Sequence, residues 1–331
     1  MNRILEYGGV EQIPLYNCSA KTADEWTNEF GLKRPVLGFF SVTYGVLMEI
    51  LFIPCLSVML EKDLFRLPCY KIMFFVGIVD MLALAMNSIF TGLLASEGAV
   101  FCTHPVQIYI GGMCGLGLWC SSCLMNILLL VNRTLNVSNS ELTQFLFDGY
   151  RTYLALLIPI VYGLYFVFFT PTCVFSSRYY AWFYDPFIFP NRTAEYTNFA
   201  HGANNAMIMC STFVFYGYIS FVLCRASKAS QVSKIQAQSH QILYQSIAVC
   251  AINQIASSVY VAMNFVTVPE WLIMLAQLLW QLDHGFPVII YMTMNRTIRS
   301  RFVRKITFQK RAESYVQSTT VRPVTLRSAR Y

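Results

Sequence analysis

The sequence predicts an all-α membrane protein. It is a seven-transmembrane helix bundle with its N-terminus outside the cell and a short amphipathic eighth helix inside. Three observations carry this. Charged residues make up only 12% of the 331 residues, against about 25% in soluble domains. Hydrophobic residues reach 56% and fall in blocks of membrane-crossing length. The cations gather in alternate connecting segments.

Seven apolar runs meet the length of about 20 residues that a helix needs to cross a bilayer. They are Pro35–Leu60, Cys69–Leu94, Val106–Val131, Thr152–Thr170, Phe199–Cys224, Ile242–Val266 and Leu272–Met294. Residues 1–34 form a polar extracellular segment. They contain no apolar core of a secretory leader, so the first span is expected to carry them across. Residues 35–294 form the bundle, and residues 295–331 a cytoplasmic amphipathic helix and disordered tail. No internal repeat is visible, which removes the symmetry argument for an inverted-repeat transporter.

Orientation follows from lysine and arginine. With the N-terminus outside, 18 of the 24 cations face the cytoplasm, ten of them after Met294, and six face out. Lys33 and Arg34 oppose the rule at the first span. The net charge of +7 is thereby placed against the anionic inner leaflet, and nucleic acid is not expected as a partner. In this orientation the glycosylation patterns at Asn17 and Asn191 face out, while those at Asn132, Asn136 and Asn295 face in.

The tail "NRTIRSRFVRKITFQKR" repeats Ile298, Phe302 and Ile306 every four residues with cations between. That pattern suits a helix lying on an anionic leaflet. Beyond it, "AESYVQSTTVRPVTLRSARY" is polar.

Acids inside spans cost roughly 2.5–3.5 kcal/mol each at a helix centre, so they are expected to face inward and find partners. Asp80, Glu49 and Asp283 are the three, with Asn126, Asp283 and His284 as candidate neighbours of Asp80; for Glu49 the equal alternative is a place toward its helix's inner half, in reach of water. The four histidines, His104, His201, His240 and His284, make no zinc-spaced cluster, so an intramembrane metallohydrolase is not expected. Pocket candidates are polar or aromatic residues in the outer halves of spans: Gln107, Asn204, Asn205, Tyr260, Asn264, Gln277 and Trp280. The second outer loop, "TCVFSSRYYAWFYDPFIFPNRTAEYTNFAHG", is dense in aromatics. It reads either as an interfacial belt or as a lid over a ligand pocket. Cys18, Cys102 and Cys173 are the outer cysteines, and three pairings are open to them.

An ordered set of short motifs then narrows the class. "YNCS" (16–19) is followed by Trp26, Gly31, Pro35 and Gly38. "IPCL" (53–56) lies late in the first span, and "CYKIM" (69–73) opens the second ahead of Asp80 and Asn87. "FCTHP" (101–105) precedes "GLWCSSC" (117–123) and Asn132-Arg133. "HGFPVIIYMTMNRTIR" (284–299) closes the last span. Together these resemble the nematode serpentine receptors of class T, the Srt family, on a rhodopsin-like seven-helix plan. The resemblance implies a G-protein-coupled chemosensory receptor in the plasma membrane of chemosensory neurons. It would bind an extracellular small molecule and act through a heterotrimeric G protein, with no cofactor and no enzymatic step. A transporter or channel using the intramembrane acids is the alternative.

The resemblance assigns G-protein engagement to Arg133 with Asn132. It places a rhodopsin-like last-span motif at Pro287 and Tyr291, and favours a Cys102–Cys173 disulfide. Four departures stand out: Asn132 replaces the acid before the arginine, "KIQAQSHQILYQ" offers no acid on the sixth span, that span has no mid-helix proline, and in the last span three residues rather than two separate Pro287 from Tyr291, with His284-Gly285 in place of asparagine.

Overall fold

The computed structural model describes residues 1–228, 234–263, 266, 268–305 and 307. Long helices dominate it. They are α1 Pro35–Met59, α2 Pro68–Glu97, α3 Pro105–Ser138, α4 Arg151–Phe169, α5 Phe199–Lys228, α6 Lys234–Ala262 and α7 Glu270–Met294. Five of them, α1 to α4 and α7, are long and apolar enough over the described residues to cross a membrane. Residues 296–305 form α8. Between α4 and α5 lies an antiparallel hairpin, β1 Val174–Ser176 paired with β2 Ala181–Phe183.

Local chemistry explains the starts. Proline stands at the first turn of α1, α2 and α3, where the absent N–H costs no helical bond. In a bilayer, close helix contact depends on small residues rather than on apolar burial. A Cβ on Gly163 of α4 would lie 2.7 Å from the carbonyl oxygen of Gly117 on α3. A Cβ on Gly38 of α1 would lie 2.5 Å from the Gly92 carbonyl on α2. Both crossings are therefore backbone on backbone.

A π-helical turn at Ala85–Phe90 interrupts α2. Such turns release carbonyls from the helical ladder. Here the Asn87 carbonyl accepts from the side-chain amides of Gln277 and Gln281, each at 3.0 Å, and the Asn87 amide donates to the Trp280 carbonyl at 3.2 Å. These bonds join α2 to α7.

The two ends of the bundle differ. The hairpin end carries β1–β2 and residues 1–34. Those residues fold onto the bundle, with Val10, Ile13, Tyr16 and Trp26 buried. Cys18 and Cys102 form a disulfide, with Cα atoms 5.5 Å apart. Cys173 is a buried free thiol, so the Cys102–Cys173 expectation is corrected. Cys173 lies against Gly112, its Sγ donating to the Gly112 carbonyl at 3.5 Å. Gly112 is seven residues into α3, about 10 Å along the axis from its start, while Cys102 precedes that start. Cys18 is held beside Cys102 by the Trp26 indole, which donates to the Cys18 carbonyl at 3.0 Å.

Arg34 opposes the charge rule for a visible reason. Its Nε donates to the Ser177 carbonyl at 2.9 Å and its Nη2 to the Arg178 carbonyl, tying the start of α1 to the hairpin turn.

At the opposite, tail end, Arg301 of α8 pairs with Glu61 at 2.6 Å and also with Asp63, while Lys305 pairs with Glu61 at 3.1 Å. Ile298 is buried in the bundle core and Phe302 packs against it. The α8 stripe, as far as it is described, is therefore spent partly on the bundle; Ile306 lies outside the described residues. The guanidinium beside Glu61 and Asp63 holds both carboxyls below their ordinary range.

Candidate functional site

Three groups of residues stand in line along the bundle. The first is a cavity of about 500 Å³ under the hairpin. The backbone places its walls: β2 and the segment after it contribute Trp182, Tyr184 and Asp185, α3 contributes Trp119, and α5 contributes His201 and Asn205. Tyr260 from α6 and Gln277 and Trp280 from α7 complete it. The rings touch in series. Tyr184–His201, His201–Tyr260, Tyr260–Trp119 and Trp119–Trp280 centroids are 5.8, 6.3, 6.0 and 6.4 Å apart. Edge-to-face contacts of this kind hold ring positions better than aliphatic packing.

Of the pocket candidates, Tyr260, Gln277, Trp280 and Asn205 line this cavity. Gln107 does not; it is exposed near the start of α3. Asn204 is buried behind the wall, accepting from Tyr162 at 3.1 Å and donating to Asn205 at 3.1 Å. Asn264 lies outside the described residues. Sequence reasoning did not single out His201, Trp182, Tyr184 or Asp185 as pocket residues. The aromatic density of the loop was the available sign, and only the hairpin fold turns those rings inward.

The second group is a polar network below the cavity floor. The Trp119 ring lies 6.1 Å from that of His284, edge-on. The His284 Nδ1 and the Asp80 carboxylate are 2.8 Å apart, and Ser122 donates to the same Asp80 oxygen at 3.2 Å. Asn253 donates to Asp283 at 3.1 Å, and Asn126 donates to Ser122 at 3.5 Å. The network thus joins α2, α3, α6 and α7. It gathers Asp80, Asn126, Asp283 and His284 as expected and adds Ser122 and Asn253. Glu49 is not part of it. That residue is half-exposed on α1 beside the exposed Leu47 and Ile50, so the expectation that it faces inward is corrected. Helix phase decides: the buried face of α1 runs through Gly45, Met48 and Phe52.

The network is incompletely satisfied. Asp80 Oδ2, Asp283 Oδ1, His284 Nε2 and Asn126 Oδ1 are buried and have no hydrogen-bond partner in the protein. Such groups are costly in low dielectric and mark places where an arrangement is held by its surroundings. Pro287, one turn past Asp283 inside α7, removes the helical donor to the Asp283 carbonyl. Tyr291, a further turn on, is buried with its hydroxyl unpartnered.

The third group is at the tail end. Arg133 lies 28 residues into α3, about 42 Å from its start, which puts it across a bilayer's thickness from the cavity side. A headgroup anchor would be exposed; Arg133 is 4% exposed. Its Nη2 contacts the Met73 sulfur at 2.7 Å, while Nε and Nη1 have no partner. Asn132 is likewise buried with its amide unpartnered. No acid pairs with Arg133 among the described residues.

Asn17 and Asn191 are both exposed at the hairpin end, whereas Asn132 and Asn295 are buried. Burial alone bars sugar from the latter pair. Asn295 instead caps α8, accepting from Thr297 and Ile298 backbone N–H groups at 3.1 Å each.

Known proteins place this architecture. The chain is 27% identical over 302 residues to "Serpentine receptor class T-55" of Caenorhabditis elegans, covering 90% of this chain and 82% of that one. The profile described as "Serpentine type 7TM GPCR chemoreceptor Srt" matches residues 3–315, nearly the full length. The seven-helix bundle, with its aromatic cavity above a buried polar network, thus belongs to a member of the Srt family of serpentine seven-transmembrane chemoreceptors.

Proposed function

We propose that this chain is a ligand-operated receptor of the plasma membrane of chemosensory cells, with the hairpin end outside and the Arg133 end in the cytosol. A small molecule enters the cavity and a heterotrimeric G protein engages the opposite end. The observation that carries this reading is the shared wall: Trp119 borders the cavity and, at 6.1 Å, also packs on His284 of the polar network. A ligand that binds one arrangement of Trp119 and Trp280 more tightly than another shifts the population of that arrangement. The network spans α2, α3, α6 and α7, so the shift reaches the helices around Arg133. A guanidinium whose Nε and Nη1 have no partner suits the backbone carbonyls of an inserted segment.

The test is a screen of small molecules in cells reporting cAMP, cGMP or calcium, with Arg133→Ala as control. The parent responds, and the variant reaches the surface without responding. A variant that signals as well as the parent removes Arg133 from coupling. Epitope tags at the two ends, stained with and without permeabilisation, fix the orientation; labelling of both on one side defeats the reading. A transporter would respond only with an ion gradient in place.

A further inference from the structure

We infer that the cavity takes a positively charged ammonium ligand, held by the Asp185 carboxylate inside an aromatic cage. This rests on the cavity being the ligand site.

Charge leads the argument. Asp185 is 7% exposed and lines the cavity. Its two oxygens accept one hydrogen bond each, from the Phe187 backbone N–H at 2.8 Å and from the Thr193 hydroxyl at 2.6 Å. Neither donor is charged. Among the described residues no lysine or arginine lines the cavity, and none pairs with Asp185. The nearby Arg192 is taken by Glu195 at 2.5 Å. A buried carboxylate normally has a cationic partner because its desolvation is otherwise unrepaid. The unmatched charge of this cavity fits a cation supplied by the ligand and disfavours an anionic one.

Shape and chemistry of the walls agree. Trp119, Trp182, Tyr184, Phe187, Tyr260 and Trp280 surround the space. Ring faces attract ammonium groups, and the attraction grows where water is excluded. A cage of rings with one carboxylate selects an organic ammonium over a hydrated inorganic cation, since the rings replace few hydration bonds of a bare ion. The carboxylate also has a structural duty, because its two bonds fold the segment after the hairpin. The experiment separates that duty from ligand binding.

The purified full chain in lipid nanodiscs is titrated with two matched pairs: choline against 3,3-dimethyl-1-butanol, and benzyltrimethylammonium against neopentylbenzene. Each pair has one shape and differs by one charge. Intrinsic fluorescence is the readout, since Trp119, Trp182 and Trp280 border the cavity and the chain has five tryptophans. The ammonium member saturates the signal at least tenfold more tightly than its neutral twin. Asp185→Asn keeps an oxygen for the Phe187 N–H and removes the charge. It weakens the ammonium about tenfold to a hundredfold, the usual worth of a charge-assisted contact, and leaves the twin unchanged. Thr193→Val loosens the loop, keeps the charge and spares the discrimination.

Equal binding of the twins overturns the inference, as does equal weakening of both by Asp185→Asn, or no saturable response to either ammonium. Gly202→Phe tells this failure from that of the underlying reading. Gly202 lines the cavity and an added Cβ meets nothing within 4 Å, so a ring there fills the space without a clash at its base. If neutral twins bind and Gly202→Phe blocks them, the cavity stands and only the charge assignment falls. If Gly202→Phe leaves binding intact, the cavity itself is the wrong site.

Discussion

The hairpin end and the tail end of this bundle are built on opposite principles. At the hairpin end the loops are tied to one another and to the bundle at several points. The Cys18–Cys102 disulfide closes it, the Tyr196 hydroxyl donates to the Leu15 carbonyl at 2.7 Å, and Ser41 bonds Tyr180 under the hairpin. At the tail end, Arg133, Asn132 and Thr134 are buried with donors or acceptors unmatched. Under the proposed receptor function, the difference separates two demands. A binding chamber gains affinity from a shape fixed in advance. A coupling surface needs groups whose best partners are met only in another state.

Four changes would break or sharpen that contrast. The largest effect is expected from Cys18→Ser together with Cys102→Ser. The bond spans 84 residues, and chain-entropy reasoning gives about 4.6 kcal/mol for a loop of that size. Thermal unfolding in nanodiscs should fall accordingly; a midpoint that stays put denies the hairpin end its covalent role.

Gly112→Ala comes next. The new methyl would lie 1.7 Å from the Cys173 carbonyl oxygen, so the strand leading into the hairpin must move. Overpacking of this kind costs about 1–3 kcal/mol. Ligand affinity should drop along with stability, since the hairpin roofs the cavity.

Arg133→Leu tests the other end. Removing a buried charge with unmatched donors is often neutral or stabilising. The melting midpoint should hold or rise while G-protein activation disappears. A large loss of stability would mean that Arg133 is a structural residue, and the contrast between the ends would fail.

The smallest effect is at α8. Arg301→Gln removes partly exposed ion pairs, worth less than about 1 kcal/mol. The pH dependence has a fixed sign. Glu61 and Asp63 have lowered pKa values in the fold, so their contribution is complete above the ordinary carboxylate range. It is lost as pH falls through the lowered folded values. A fluorescent label on α8 should gain mobility in acid in the parent and show a smaller change in Arg301→Gln, where only the Lys305–Glu61 pair remains to titrate.

The sequence was legible where the bilayer makes the rules. Composition and apolar run length mark membrane helices because unpaired backbone cannot sit in lipid. The start prolines of α1, α2 and α3 lie within a few residues of the expected span boundaries. Asp80, Asp283 and His284 were findable as costly groups that had to face inward. Glu49 shows the limit of that rule: composition reveals that an acid lies in a span, but not which face it takes.

What the sequence by itself determined is the class: helices of crossing length, an apolar exterior and a few polar groups that must be gathered inside. What only the tertiary structure decided is which of them meet. Cys18 instead of Cys173 reaches Cys102 because Trp26 and the start of α3 set their separation. Asp185 comes to line one cavity with His201 and Trp119 because the hairpin folds back over the helices. Run length and hydropathy are properties of single segments, readable one at a time. A cavity or a disulfide depends on distances between segments, and those are fixed only when backbones close on one another at points such as Gly117 and Gly163.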